Sequence, residues 1–103
     1  MMSLEEEFTK ALDGTVEAAK SKNYIPTIFI RMLAEHGGVT TAGRLLDNQK
    51  SQTGLFELYH RNLLQESMEA VVLQERFLSL FTEKQLFEAR RRLEELGYCP
   101  RSN

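Results

Sequence analysis

Few residues in this chain could do chemistry. His36 and His60 are its two histidines and Cys99 is its one cysteine. A structural or catalytic zinc site needs several such ligands at short, characteristic separations, and these three have no such spacing with one another. Ser67 and Glu69 stand near Tyr59 and His60 in sequence, yet no nucleophile elbow or base-orienting pattern accompanies them. Ser67 reads more simply as a helix cap with Glu69 in the favourable first turn. Glu66, Glu69 and Glu75 make a carboxylate cluster only if folding converges them. Cys99, followed by Pro100, has no adjacent histidine to activate it and reads as an exposed tail thiol. The expectation is therefore no enzyme, no metal and no cofactor, with His60 and Glu69 the least poor catalytic candidates.

The stretch AEHGGVTTAGRLLDN, residues 34–48, invites two sharper readings. As an anion cradle it lacks the Lys-Ser or Lys-Thr of a P-loop and the third glycine of a dinucleotide fingerprint. Gly37 then serves as a helix C-cap and Gly38 as a connector. As a helix-turn-helix it should turn within a few residues into a recognition helix. Asp47, Asn48 and a polar loop follow instead, and LFELYHRN directs Leu55, Phe56, Leu58 and Tyr59 to burial. Arg44, Lys50, Gln52 and Arg61 remain as a modest set of nucleic-acid contacts over residues 26–62, the alternative function. EARRRLEE holds three arginines, Arg90 to Arg92, each with a glutamate within helical reach. That pattern reads as a solvated, salt-paired face with pairs Glu88–Arg92, Arg90–Glu94 and Arg91–Glu95.

The elements that would position these residues are all helical. Ser3 and Glu6 form a capping box, and Leu4, Phe8, Leu12, Val16 and Ala19 then recur on one face. Gly14 lies inside that helix and permits a bend. Pro26 suits the first position of a second helix whose apolar face is Ile25, Ile28, Phe29, Met32 and Leu33. Thr40 is the N-cap expected for a third, with Val39, Ala42, Leu45 and Leu46 inward. Thr82 and Gln85 form a second capping box ahead of Leu86, Ala89, Leu93 and Leu96, and Gly97 ends that helix. No stretch alternates as a strand would. The expected fold is all-α, a compact orthogonal bundle of about six helices over 3–20, 26–36, 40–48, 55–61, 67–81 and 83–96, in a single domain.

Taken in order, Tyr24-x-Pro26-x-x-Phe29, Gly37-Gly38, Leu45-Leu46, Ser67-x-Glu69, Leu80-Phe81-Thr82, Ala89-Arg90 and Gly97-Tyr98 run nearly the whole chain. This series resembles a family of small bacterial helical proteins of similar length with no assigned activity. The resemblance implies a self-contained helical unit in a bacterial cytoplasm and brings no catalytic residue, cofactor or ligand.

Composition narrows the function classes. At 103 residues, 42% hydrophobic and 27% charged, the chain has the make-up of one globular domain. Its net charge of −2 lacks the basic excess usual in nucleic-acid binders. A lone cysteine suits a reducing, cytoplasmic home. No apolar run is long enough for a membrane. The function expected is non-catalytic: a protein–protein interaction or accessory domain, with a protein partner or a second copy meeting it at Ile30 and Phe87, which depart from their helices' main apolar stripes.

Overall fold

Ser3 accepts a hydrogen bond from the Glu6 N–H at 3.1 Å, and Glu6 accepts one back from the Ser3 N–H at 3.0 Å. That closed box starts α1 (Leu4–Ser21), which runs through Gly14 without a break. In the computed structural model, which describes residues 1–99, five further α-helices follow: α2 (Thr27–His36), α3 (Gly38–Asp47), α4 (Thr53–His60), α5 (Met68–Val72) and α6 (Glu83–Glu95). Two 3₁₀ segments, Leu64–Glu66 and Glu75–Leu80, flank α5. The described residues contain no strand, so the fold is an all-α bundle of about six helices, as the periodicity indicates.

Three helices end in the same way. Asn23, Asn62 and Gly97 take φ of 65°, 60° and 79°, the left-handed conformation. After each, the next residue returns an N–H across the final turn: Tyr24 to Ala19, Leu63 to Leu58, Tyr98 to Leu93. These are Schellman closures, which satisfy otherwise unpartnered helix-end carbonyls and press the residue after the left-handed one against the helix body. Tyr24, Leu58, Leu63 and Ala19 accordingly pack together, as do Tyr98 and Leu93.

The main core joins α1, α3, α5 and α6 through Phe8, Leu12, Ala42, Leu46, Val72, Phe77 and Ala89. Phe8 meets Phe77 and Phe81 edge-on, each with ring centroids 5.1 Å apart. This is the arrangement ring quadrupoles favour.

Several boundaries differ from the sequence expectation: Pro26 is the N-cap of α2 rather than its first helical residue, and α4 begins two residues early, at Thr53. Thr40 does not cap α3. Gly37, with φ of 78°, ends α2 and caps α3 at once, so the two helices share a one-residue joint. Gly38 then lies against α1, its N–H donating to Thr9 Oγ1 at 2.9 Å. The span 67–81 is also not one helix. Gln74 turns extended (ψ 133°) and separates α5 from the 3₁₀ segment after it. A continuous helix rotates about 100° per residue, which would aim Phe77 roughly 140° away from Val72. The break lets both side chains enter the same core, each fully buried.

Candidate functional site

Arg92 is the largest fully buried side chain, with 1% of its surface exposed. A guanidinium has five N–H donors, and every one here has an acceptor. Nε donates to Glu88 Oε2 at 2.6 Å, and Nη1 to Glu69 Oε2 and the Ser51 carbonyl, each at 3.2 Å. Nη2 donates to the carbonyls of Leu45 (2.9 Å) and Asn48 (3.0 Å). The last two lie at the C-terminal end of α3, where carbonyls lack helical partners and the dipole is negative. One side chain of α6 thus ties down α3, the loop after it and α5. With no N–H to spare, Arg92 is a structural tie rather than a substrate contact.

Its carboxylate partners are tuned in opposite directions. Hydrogen bonds, first from Arg91 and then from Arg92, hold the Glu88 carboxyl down at about 2. Burial pushes the Glu69 carboxyl up, against the pull of Arg92. Glu69 is 4% exposed, while Glu66 and Glu75 stand at the surface, so the three glutamates do not converge.

The apolar face of α2 reaches the core only in part: Phe29 and Leu33 pack against it half-buried. No residue of α2 is buried. Ile25, just ahead of it, and Ile28 are 64% and 67% exposed. Phe29 and Met32 are half-buried and overhang a hollow of about 440 Å³. The opposite walls come from Thr15 and Ala19 of α1, Leu55 and Leu58 of α4, and Met68 and Glu69 of α5. Tyr24 and Lys50 also line it, in the segments leading into α2 and α4. Thr15 is 5% exposed and its buried hydroxyl has no hydrogen-bond partner. Arg61 stacks over the Tyr24 ring, 5.0 Å from its centroid, and donates to the Lys22 carbonyl and to Glu57.

The other residues singled out in the sequence lie apart. Ile30 is half-buried on α2, and Phe87 is 65% exposed on α6. Neither lines the hollow. Arg44 is exposed on α3. Lys50 is at the rim of the hollow, Gln52 donates to the Gln49 carbonyl, and Arg61 is engaged as described. The four therefore do not form one free cationic stripe. His36 is exposed, 3.7 Å from a Glu35 oxygen, and His60 sits exposed beside the Tyr59 ring. Ser67 is buried, donating to the Leu64 carbonyl at 2.7 Å and accepting from the Ala70 N–H at 3.2 Å. Cys99 is exposed. Among the described residues no three of His, Cys, Asp and Glu gather as a metal site would require.

Sequence reasoning missed the buried arginine, and the signal was there. Arg92 follows Ala89 by three and precedes Leu96 by four, so it lies on the apolar stripe of α6 rather than opposite it. Its nearness to Glu88 in sequence marked it instead as one of a surface series. Phe56 and Tyr59, expected inside, are 45% and 43% exposed, because α4 turns only Leu55 and Leu58 inward. No helix of the described residues is long and apolar enough to cross a membrane. Comparison with protein-family models, with curated proteins and with solved structures found no match to this chain.

Proposed function

We propose that this chain is a non-catalytic recognition domain of the bacterial cytoplasm that works by binding a protein partner through α2 and the turn before it. One observation carries the reading: α2 buries none of its residues fully, only Phe29 and Leu33 packing half-buried on the core, while Ile28 and the preceding Ile25 stay on the outside. An apolar side chain of that size is stabilised by about 1.5–3 kcal/mol when fully buried. Two large isoleucines three positions apart stand exposed on the same stretch, whereas the neighbouring Pro26 is buried and Tyr24 half-buried. Catalysis has less support. The histidines are exposed while Ser67 is buried and bonded to backbone, and the buried carboxylate Glu69 is held by Arg92.

The test compares what the purified chain retains from a lysate of its host with what Ile25→Asp and Phe87→Asp retain. A partner should be lost from Ile25→Asp and kept by Phe87→Asp. Identical retention by all three would remove α2 as the contact surface. Loss only from Phe87→Asp would move the surface to α6.

A further inference from the structure

The hollow beneath α2 holds more than the partner-contact reading uses. Its volume of about 440 Å³ falls in the range of small-molecule pockets, about 300–1,000 Å³. Its walls are mostly apolar: Ala19, Phe29, Met32, Leu55, Leu58 and Met68. Polar groups in such a pocket are few and set orientation. Three differ in what they offer. The Thr15 hydroxyl is unpartnered but has almost no accessible surface, so its residue contributes to the wall mainly as an apolar surface. Glu69 is a wall residue whose charge Arg92 balances from behind, so it leaves little uncompensated field. Lys50 is exposed, forms no ion pair among those of the described residues, and is the sole cation of the lining.

We infer that this cavity is a binding site for a small amphiphilic carboxylic acid, its apolar body beneath α2 and its carboxylate at Lys50. The apolar walls supply most of the attraction through burial. The ammonium favours an anionic head over a neutral or cationic one, since charge-assisted contacts are about twice as strong as neutral ones. Ile28 of the proposed partner contact also lines the cavity, but Ile25 does not, so a change at Ile25 tests the contact separately from this site.

Octanoate, octanol and octylamine share one chain length and differ in head group. Each would be titrated into the ¹⁵N-labelled full chain, following backbone amide shifts. Octanoate is expected to give saturable shifts at Ala19, Phe29 and Leu58 and to bind about five- to tenfold more tightly than octylamine or octanol. Lys50→Gln should bring octanoate level with octanol. Gly54→Leu should abolish the shifts. An added Cβ there meets only the Tyr24 hydroxyl oxygen, at 3.8 Å, and Gly54 lines the cavity, so the longer side chain is expected to fill its mouth, with an unchanged amide spectrum outside the cavity confirming the fold. Ile25→Asp should bind octanoate like the parent, whatever becomes of the protein partner. Absent saturable shifts, octylamine or octanol as tight as octanoate, or full binding by Gly54→Leu would each overturn the site.

Discussion

At the scale of single residues, Arg92 sets the sharpest expectations. A lysine in its place has three donors on one point charge and cannot span two carboxylates and three carbonyls. Arg92→Met, which removes the charge, should therefore cost ~3–5 kcal/mol, the range found when one partner of a buried ion pair is removed, and Arg92→Lys, which keeps it, should cost less. Urea unfolding checks this, and a loss within ~0.5 kcal/mol would show that the surrounding groups re-pair without it. The pH dependence follows from its partners. Glu88, held at about 2 against an ordinary 4.5, binds fewer protons folded than unfolded. Its stabilisation is complete above 4.5 and is lost as pH falls through about 2. Glu69 has the opposite sign. Its raised pKa makes its contribution greatest below the ordinary value of 4.5 and smaller as pH rises through the folded value. Stability curves of the parent and Glu88→Gln, measured between pH 6 and about 2, should therefore diverge in slope on the acid side. The parent should fall more steeply there, and parallel curves would refute the assignment.

At the scale of elements, two glycines within helices make opposite predictions. A Cβ on Gly14 would meet nothing within 4 Å. Gly14→Ala should stabilise the chain by ~0.5–1 kcal/mol, the helix-propensity difference. On Gly38 the added atom would lie 2.8 Å from both Cα and Oγ1 of Thr9. One of those is backbone, so α1 and α3 would have to separate, and Gly38→Ala should cost ~1–3 kcal/mol as overpacking does. Thermal unfolding of the two variants should move in opposite directions. The contrast also marks what sequence can convey. Local grammar was legible: both capping boxes, the Gly37 stop and the Gly97 stop are set by residues three or four apart. Long-range demands were not. That Gly38 must touch Thr9, that Arg92 must reach the end of α3, and that the chain must break at Gln74 all depend on elements distant in sequence. The apolar periodicity of α2 was read correctly as amphipathic, but a stripe does not say whether the chain covers it or leaves it for a partner.

At the scale of the whole molecule, stability should be uneven in a definite way. The core through Phe8, Leu12, Val72 and Phe77 couples α1 and α5 to the segment after α5, and Arg92 binds α3 and α6 into the same unit. α2 joins that unit only through the half-buried Phe29 and Leu33; it packs chiefly on α3 and overhangs the hollow. Segments with few buried apolar side chains open at lower free energy than the global transition. The backbone amides of α2 should then exchange with solvent deuterium well before those of α1 and α6, while the whole chain still unfolds in one step. Filling the hollow would give α2 the buried contacts it lacks. A bound occupant should therefore slow exchange in α2 more than in α6 and raise the unfolding temperature with its concentration. Deuterium uptake with and without octanoate tests both halves together. If α2 exchanges as slowly as α1 before anything is added, the helix is held by contacts other than those described. The gap in the core would then be a tolerated packing defect with no bearing on recognition.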